Sequence, residues 1–481
     1  MASVKKNFLY SSAYQLLVAA APLVTTPYLS RVIGSAGNGV FTYTQSITNY
    51  FVLVAVLGMT NYGVRTIAEC GDDRARRSKT FWDLWLMNVL VGVGVLVAYV
   101  CYALGPGRTY LNLWALWGMW VLASVLDVTW LLWGVQEFRI PTIRNFCTRL
   151  ASIALIFVLV RSANDVWGYV LAIAGAYLAN ALLVWPVVRR YVDWARPSWE
   201  GIRSHFLPNL TLFVPVVATS LYTIMDKVML GSMAGMEQTG LYDYAEKVSK
   251  MPLSVITALG AVVLPKMTTV IAEGRLEEGK RLVGTTMWFM LACALALSFG
   301  IAAVAPEFCP VFLGPEFGAC TPLLRLLCAI VPLICATNVM GVQYLLPTKR
   351  DSLFTASVAC GAAVNIAINV VAIPMSGALG ASIATVAAEL SVLAFQAWVL
   401  RRELPLVRYL RGMLPFVAIG TIMLVALRLL AALLGPNAAT LHGLLTEIAA
   451  GGLIYLSLSY AWCRATKNEE FQRVVPKLAR W

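Results

Sequence analysis

LWLMNVLVGVGVLVAYVCYAL, residues 84–104, is an uncharged run long enough to cross a lipid bilayer, which takes about 20 apolar residues in a helix. Other uncharged runs of this length lie at residues 40–64, 166–188, 282–306 and 326–348. Because 59% of the chain is hydrophobic and only 13% is charged, little sequence remains for a soluble domain. The sequence therefore predicts an all-α polytopic membrane protein.

The basic residues are concentrated in alternate connections between the apolar runs. If the N-terminus is cytoplasmic, the inside segments hold 28 of the 37 Lys and Arg residues, and the outside loops hold only Arg31, Arg108 and Arg161. By the positive-inside rule, this asymmetry predicts a cell-membrane protein with both termini in the cytoplasm. The net charge of +13 thus lies beside membrane ends, where anionic lipid accounts for it, and nucleic acid is not an expected partner.

The apolar runs predict fourteen transmembrane helices joined by short loops. Their expected bounds are 8–30, 40–62, 80–104, 111–133, 141–161, 166–188, 208–232, 241–264, 283–306, 321–346, 352–373, 378–400, 412–434 and 441–463. The uncharged run 352–388 is too long for one crossing, so we expect a break at 374–377, which contains proline and glycine. The predicted domains are two six-helix lobes (1–200 and 201–402), two further helices (403–464) and a cytoplasmic tail (465–481).

Two segments about 200 residues apart in this sequence resemble each other. RVIGS at 31–35 is followed by GVFTY at 39–43, and KVMLGS at 227–232 is followed by GLYDY at 240–244. Both copies span the first hairpin of a run of six helices, so the two halves have the same orientation. Parallel repeats of this kind flank a central site in transporters.

This repeat matches Arg31 with Lys227 and Gly34 with Gly231, at the ends of the first and seventh predicted helices. Both bases are candidates for binding a substrate, although each could equally extend its ammonium or guanidinium group to the outer interface. Asp226 precedes Lys227 and points about 100° away from it around a helix, so the two side chains do not address one partner easily.

The eighth predicted helix carries the best polar constellation in the chain. Asp243, Lys247, Lys250, Ser254 and Thr257 follow each other at steps of four and three residues, which places them on one helix face. A charged side chain at the centre of a membrane helix costs about 3 kcal/mol or more, so this face should line a watery cavity or contact partner helices. Lys247 and Lys250 are therefore predicted to bind substrate.

A structural explanation of the same residues stays open. Asp243 with Lys247, and Glu246 with Lys250, are both i,i+4 pairs with the acid first, which is the favourable order for an ion pair on a helix. The equivalent positions of the first copy are polar and neutral, and comprise Thr42, Gln45, Ser46 and Asn49. We expect Gln45 and Asn49 to be the substrate-binding members of that neutral face.

Other intramembrane charges are candidates for ion coupling or for structural pairing. Asp127 and Arg149 lie deep in the fourth and fifth predicted helices and could pair with each other, and Glu389 stands alone in the twelfth. Cys309 and Cys320 share an outside loop, where either a disulfide or two buried thiols is conceivable. With two His residues in the chain and no H-E-x-x-H or other metal spacing, no metal, no cofactor and no enzymatic activity are expected.

At this point the motifs resemble a known family. PYLSRVIG at 27–34, GVFTY at 39–43, DKVMLG at 226–231 and the Tyr-x-x-Ala-x-Lys run at 242–247 resemble the oligosaccharide flippases of the polysaccharide transporter family. That family belongs to the multidrug/oligosaccharidyl-lipid/polysaccharide exporter superfamily. The resemblance implies two six-helix lobes around a central cavity, followed by two extra helices.

The resemblance also implies a substrate and partners. Undecaprenyl-pyrophosphate-linked repeat units would be flipped from the cytoplasmic to the outer leaflet by alternating access, beside glycosyltransferases and a polysaccharide polymerase. Lysines suit phosphate oxygens as mobile point charges. Two alternatives remain: a cation-coupled multidrug exporter of the same superfamily, which would use Asp127, Asp226 or Glu389, and a non-transporting scaffold of a glycan-assembly complex.

Overall fold

The structure is a computed structural model that describes the backbone of residues 2–474. Side chains are described at residues 17, 18, 20–211, 213, 217, 220, 223–253, 256 and 263–474. All regular elements within these residues are helical, which confirms the all-α class. The chain divides between Gly231 and Ser232 into two compact units, here called unit 1 and unit 2. The lobe and tail boundaries expected from the sequence stay predictions.

Unit 1 is built from long helices that are interrupted at a few residues. Its helices are α1 (Ala2–Val56), α2 (Met59–Ala68), α3 (Arg74–Leu104), α4 (Leu111–Leu126), α5 (Thr129–Gly134), α6 (Arg139–Leu159), α7 (Val166–Val188) and α8 (Trp199–Met233). The apolar core packs Phe41 of α1 against Tyr169 of α7, with ring centroids 3.7 Å apart and nearly parallel. Trp117 of α4 lies beside the same Phe41 ring, so α1, α4 and α7 share one core.

Unit 2 contains more short helices than unit 1. Its helices are α9 (Met236–Lys250), α10 (Leu253–Ala272), α11 (Leu276–Phe308), α12 (Cys320–Leu327), α13 (Ile330–Thr337), α14 (Asp351–Ser376), α15 (Ala378–Leu400), α16 (Leu406–Leu434), α17 (Leu441–Ala465) and α18 (Glu469–Val474). The last two long helices, α16 and α17, pack on α11, and the hydroxyl of Tyr455 donates a 2.8 Å hydrogen bond to the Ala292 carbonyl.

Eleven helical segments among the residues searched are long and apolar enough to cross a membrane. They are Ala20–Ala68, Arg74–Leu104, Arg108–Gly134, Arg139–Leu159, Val166–Val188, Leu276–Leu313, Pro315–Leu345, Asp351–Ser376, Ala378–Leu400, Leu406–Ala439 and Leu441–Ala465. The first of these contains two predicted helices, and the predicted seventh and eighth fall on α8–α10, where several side chains lie outside the description. The multi-pass class is confirmed, and the count of fourteen crossings stays a prediction.

Several predicted boundaries are wrong, each for a local reason. The expected loop at 31–39 is helical, because α1 continues through a kink. The predicted helix 40–62 is interrupted at Leu57, which adopts a left-handed φ of 48°. Hydrogen bonding of the predicted helix 241–264 is interrupted at Met251 and Pro252, since proline has no backbone N–H to donate. The expected break in the run 352–388 is confirmed at Gly377, where φ is 55°.

The two kinks share one backbone conformation. Gly34 has φ 65° and ψ −169° inside α1, and Gly235 has φ 93° and ψ 171° between α8 and α9. Both values fall in a region that essentially only glycine adopts. Each kink is followed five residues later by the glycine that begins the Gly-x-aromatic-x-Tyr string. The structural repeat therefore matches Gly34 with Gly235, and the predicted match of Gly34 with Gly231 is wrong.

Candidate functional site

Two parallel ion pairs run along α9, the first helix of unit 2. The Nζ of Lys247 lies 2.5 Å from a carboxylate oxygen of Asp243, and the Nζ of Lys250 lies 2.6 Å from one of Glu246. The two acid side chains are 1% and 6% exposed, whereas the lysines are 34% and 37% exposed. The structural pairing that the sequence left open is thus present. Each pair turns its positive end outward from the unit.

Because the lysines are partly exposed and their acids are buried, the ion pairs can bind an anion. An ammonium group has three N–H donors, so an ion pair with one carboxylate does not by itself saturate a lysine. Because the carboxylates are buried, a ligand meets the lysines first. The two lysines are three residues apart on one helix, so their head groups can address neighbouring oxygens of one anion. Pairing and ligand binding are therefore compatible at Lys247 and Lys250.

Contacts from α12, α15 and the segment before α12 hold α9 in place. The hydroxyl of Tyr242 shares a 2.8 Å hydrogen bond with that of Thr385, and Cys320 donates its thiol to the Leu241 carbonyl at 3.5 Å. The Tyr244 ring meets Phe317 edge-on at 5.4 Å between centroids. These contacts fix α9 against its neighbours, and the Tyr244 ring also lies beside the Lys247 ammonium, with Nζ 6.0 Å from the ring centroid.

The polar stripe predicted along this helix is described only as far as Lys250. α9 ends at Lys250 and α10 begins at Leu253, and the two residues between them, Met251 and Pro252, keep right-handed helical torsions. The side chains of Ser254 and Thr257 lie outside the described residues. Among the described side chains, Asp243, Lys247 and Lys250 of the stripe lie together on α9, and Glu246 joins them through its pair with Lys250.

Glu389 of α15 belongs to the same neighbourhood. Its side chain is 93% shielded from solvent, and the nearest cation acting on it is Lys250 of α9. The sequence placed Glu389 alone in the twelfth predicted helix, and no hydrogen bond or ion pair joins it to another described residue. Lys250 thus has two acidic neighbours, Glu246 in direct contact and Glu389 at longer range.

The equivalent face in unit 1 is neutral, as the sequence indicated. Thr42 and Ser46 are buried, and Gln45 and Asn49 are partly exposed. One residue of the same turn, Thr44, accepts a 3.0 Å hydrogen bond from the indole of Trp117. This face offers hydroxyl and amide groups where α9 offers ammonium and carboxylate groups.

The bases at the predicted ends of the first and seventh helices do not occupy matching positions. Arg31 is exposed, lies three residues before the Gly34 kink and donates to the Pro27 carbonyl at 2.9 Å. Lys227 lies eight residues before the Gly235 kink, inside α8, and is partly buried. The corrected repeat therefore separates Arg31 from Lys227.

Asp226 is placed more deeply than the sequence suggested. The prediction that Asp226 and Lys227 close the seventh helix is wrong, because α8 continues to Met233. Asp226 is 2% exposed and acts electrostatically on the phenol of Tyr50 in α1. Both side chains belong to unit 1, so Asp226 is part of the polar interior of that unit.

Asp127 and Arg149 do not form the predicted pair in the described structure. Asp127 lies at the junction of α4 and α5, where its carboxylate accepts from the Thr129 backbone N–H at 2.9 Å and from the Thr129 hydroxyl. That hydroxyl also accepts from Arg144 at 3.0 Å. The Asp127 carboxylate is thus engaged in the turn between α4 and α5, where it bonds the backbone two residues on, rather than in an ion pair with Arg149.

A buried charged group in unit 2 was missed from the sequence. Arg428 of α16 forms a 2.7 Å ion pair with Glu307 of α11. Glu447 of α17 is fully buried beside this pair. A single acid within the apolar run 441–463 was the available signal. The Arg428–Glu307 pair joins α16 to α11, and both carboxylate oxygens of Glu447 lie buried without a hydrogen-bond partner among the described residues.

A cationic pocket of about 510 Å³ lies in unit 1, at the end predicted to be cytoplasmic. Arg65, Arg76 and His205 line it, and the Nδ1 of His205 lies 2.7 Å from the Tyr62 hydroxyl. Burial lowers the pKa of His205 below its usual range, and the charge of Asp83 opposes this shift. Because Arg65 is paired with Glu69, Arg76 is the main free-standing charge of the pocket.

No cluster of ligating side chains that could hold a metal ion occurs among the residues searched. Cys309 and Cys320 are both free and buried, and so are not joined by a disulfide. The described chemistry of unit 2 is therefore that of ammonium and carboxylate groups.

Comparison with known proteins identifies a family and several relatives that this chain resembles. Residues 4–270 match the family described as polysaccharide biosynthesis protein. A putative O-antigen transporter of Escherichia coli is 21% identical over 362 residues, covering 73% of this chain and 86% of that one. A probable low-salt glycan biosynthesis flippase, Agl15 of Haloferax volcanii, is 20% identical over 241 residues, half of each chain.

Solved structures with the same fold are also transporters. The lipid II flippase MurJ in an inward closed conformation has a TM-score of 0.75 at 13% identity, covering 96% of this chain and all of that one. An inward-facing multidrug resistance transporter of the MATE family has a TM-score of 0.65 at 13% identity, covering 87% and 98%. At these identities the likeness establishes a shared fold.

Proposed function

This chain belongs to the polysaccharide biosynthesis protein family, and we propose that it is a flippase for lipid-linked glycans in cell-surface polysaccharide biosynthesis. Its substrate is an oligosaccharide repeat unit linked to undecaprenyl pyrophosphate. The protein moves this unit from the cytoplasmic to the outer leaflet by alternating access. The names of the O-antigen transporter and of the glycan flippase Agl15 support this assignment.

The observation that carries the proposal is the pair of outward-facing lysines on α9. Lys247 and Lys250 are each held by a buried carboxylate, so the ammonium groups are positioned before a ligand arrives. A pyrophosphate has several charged oxygens and can take N–H donors from both lysines. Since each lysine is already charge-balanced within the protein, binding is reversible, which a transporter requires for release on the opposite side.

The physical chemistry of the substrate fits this route. The sugar head group cannot cross hydrocarbon, whereas the polyprenyl tail can stay in the lipid. An inside-negative potential favours outward movement of an anion by about 2.3 kcal/mol per charge per 100 mV. Release can therefore proceed with little additional coupling. We further propose fourteen crossings with both termini in the cytoplasm, and glycosyltransferases and a polysaccharide polymerase as neighbours.

The experiment follows the leaflet in which the substrate accumulates. Depletion of the protein should trap undecaprenyl-pyrophosphate-linked repeat units in the inner leaflet, where they are shielded from a periplasmic glycosidase. Re-expression of the natural chain should restore access, and so should the control variant Lys266→Glu, because Lys266 is an exposed base of α10. The double variant Lys247→Glu with Lys250→Glu should not.

The outcomes separate the function from the site. If the lipid-linked repeat units remain accessible to the glycosidase in depleted cells, the flippase function is contradicted. If depleted cells instead lose the export of cationic dyes, a multidrug exporter is favoured. Trapped substrate together with a fully active double variant, at normal protein level, would keep the function and reject the lysines as its site.

A further inference from the structure

A cavity of about 860 Å³ opens at one end of unit 2, away from the α9 lysines. The beginnings of α11 and α16, the end of α17 and helix α18 form its walls. It lies at the end that carries the basic connections of unit 2, which the sequence predicts to be cytoplasmic. The cavity thus lies where α11, α16 and α17 leave their apolar spans.

A buried donor without an acceptor lies in the cavity wall. Trp288 of α11 is 9% exposed, and its indole N–H has no hydrogen-bond partner among the described residues. Its ring is fixed edge-on against Phe416 of α16 and Phe471 of α18, with centroids 5.6 and 6.5 Å apart. An indole N–H can only donate, so a small shift of this ring toward the cavity would let it donate to an oxygen that entered there.

The acids of the cavity are already neutralised by neighbouring bases. Glu277 pairs with Lys280 at 2.7 Å and Glu470 with Arg473 at 2.9 Å. Glu403 pairs with Arg350 at 2.6 Å. The fourth acid, Glu469, lies 3.5 Å from Arg408 and 3.7 Å from Arg473. No wall carboxylate is left to attract a cation.

Two bases of the cavity remain available. Arg281 of α11 and Lys467, which follows α17, line the cavity and form no ion pair with any residue that the structure describes. Both are exposed, so their charges face the opening. Two cations at the rim and an N–H donor in the wall together select an anion with several acceptor oxygens.

We propose that this cavity binds the phosphate group of an anionic phospholipid, with Arg281 and Lys467 contacting its charge and the Trp288 N–H donating to one of its oxygens. A phosphodiester supplies an oxygen for each of these groups. Basic pockets between membrane helices on the cytoplasmic side bind such head groups. The apolar spans of α11, α16 and α17 begin next to these charged ends, so the acyl chains of a bound phospholipid would stay in the surrounding lipid, an anchorage that a free phosphate lacks.

The binding test uses the purified full-length chain in detergent with three probes: dioleoylphosphatidylglycerol, dioleoylphosphatidylcholine and inorganic phosphate. Phosphatidylglycerol should raise the thermal unfolding midpoint above that given by phosphatidylcholine, and inorganic phosphate should leave it unchanged. Arg281→Glu with Lys467→Glu should weaken phosphatidylglycerol binding by about tenfold or more, because two charge-assisted contacts are reversed.

Two matched controls distinguish the cavity from general surface charge. Arg402→Glu with Arg411→Glu makes the same charge change on exposed residues of the same end, outside the cavity, and should bind the lipid normally. Trp288→Phe keeps the ring and removes the N–H, so it should weaken binding several-fold. Trp398→Phe, which alters an exposed tryptophan elsewhere, should have no effect.

Each remaining outcome overturns the proposal. Equal loss of lipid binding in both charge-reversal pairs would reduce the effect to nonspecific surface attraction. Stabilisation by inorganic phosphate alone would identify a soluble anion as the ligand. Unchanged lipid binding in both cavity variants, with normal folding, would show that the cavity holds no lipid. None of these results depends on transport, so the flippase function is tested separately.

Discussion

The two copies of the repeat have the same backbone and different side chains. In unit 1 the kink at Gly34 leads into a neutral face with Gln45 and Asn49, and in unit 2 the kink at Gly235 leads into the charged face of α9. The aromatic residue seven positions after each kink contacts the helix at the sixth predicted crossing of its half, which is α7 in unit 1 and α15 in unit 2. Phe41 stacks on Tyr169, and Tyr242 bonds to Thr385.

This difference indicates which features serve the scaffold and which serve the substrate. The kink and the aromatic contact occur in both copies, so they satisfy requirements of the fold. The ion pairs of α9 occur in one copy only, and a fold that forms without them in unit 1 does not need them in unit 2. We infer that the charges of α9 are kept for binding, and the predictions below test that inference.

The largest expected effect is an all-or-none pattern of surface labelling. If both copies have the same orientation, cysteines replacing Arg108 in unit 1 and Asn437 in unit 2 should react with a membrane-impermeant maleimide in intact cells. Cysteines replacing Arg76 and Arg473 should react only after the cells are opened. All four residues are exposed, so access depends on the side of the membrane. Labelling of the Arg473 position in intact cells would break the shared orientation.

The next effect contrasts charge reversal in the two copies. Lys247→Glu or Lys250→Glu should abolish glycan export, because each removes an ammonium group and leaves a buried acid unpaired. Lys→Arg at either position should keep part of the activity, since the charge remains. Gln45→Glu with Asn49→Glu in unit 1 should lose less. Export measured at equal protein level gives the comparison, and equal losses in both copies would contradict a cationic site confined to unit 2.

Exchange of one ion pair separates binding from structure. The double variant Asp243→Lys with Lys247→Asp preserves the pair but moves the ammonium by about one helical turn, ~5–6 Å, into a buried position. If Lys247 binds pyrophosphate, most export should be lost while the protein still inserts. If Lys247 only neutralises Asp243, export should be normal, and that result would reject its substrate role.

A smaller effect distinguishes the two glycines of the second copy. Gly235→Ala should destabilise the protein by about 1–3 kcal/mol, because alanine does not tolerate its φ of 93° although the space around it is open. Gly34→Ala should behave alike. Gly231→Ala should also destabilise the protein but for another reason, since a Cβ at this position would overlap the Tyr43 ring. Tyr43→Ala should therefore rescue thermal stability in Gly231→Ala and not in Gly235→Ala; equal rescue would refute the corrected repeat.

The sequence predicted the features that depend on apolar length and on spacing along one helix. The uncharged runs identified the spans, the proline and glycine near Gly377 identified a break, and the i,i+4 spacing identified both ion pairs of α9. These properties are local, so one sequence contains them in full.

Features that depend on backbone torsion or on a third helix were not predictable in this way. Sequence comparison matched Gly34 with Gly231, because both are followed by serine. The positive φ that makes Gly235 the structural equivalent of Gly34 cannot be read from the sequence, since every glycine can adopt it. Asp127 and Arg149 were expected to pair because both lie deep in predicted membrane helices. In the structure, the Asp127 carboxylate accepts hydrogen bonds from Thr129 instead. The contact of Arg428 with Glu307 joins residues more than a hundred positions apart, which spacing cannot reveal.

The smallest effect concerns the acid that follows α7 in unit 1 and α15 in unit 2, the sixth predicted helix of each half. Asp193 in unit 1 pairs with Arg74 at 2.6 Å and is well exposed, whereas Glu403 in unit 2 pairs with Arg350 at 2.6 Å, is more shielded and also accepts from the Tyr344 hydroxyl at 3.1 Å. A hydrogen bond from the neighbouring arginine lowers the pKa of each carboxyl below its usual range. The better-shielded pair should contribute more to stability.

Glu403→Gln should therefore lower the free energy of unfolding at pH 7 by less than about 1 kcal/mol, because the pair is partly screened by solvent. In thermal unfolding, Glu403→Gln should lower the midpoint more than Asp193→Asn does. A carboxyl with a lowered folded pKa stabilises the protein above its unfolded value of about 4.3 and loses that contribution as pH falls through the folded pKa. The difference between Glu403→Gln and the natural chain should accordingly disappear in acid. If the difference persists below the folded pKa, or if Asp193→Asn has the larger effect, burial does not set the strength of these pairs. The two halves would then fix their sixth helices by contacts other than this acid.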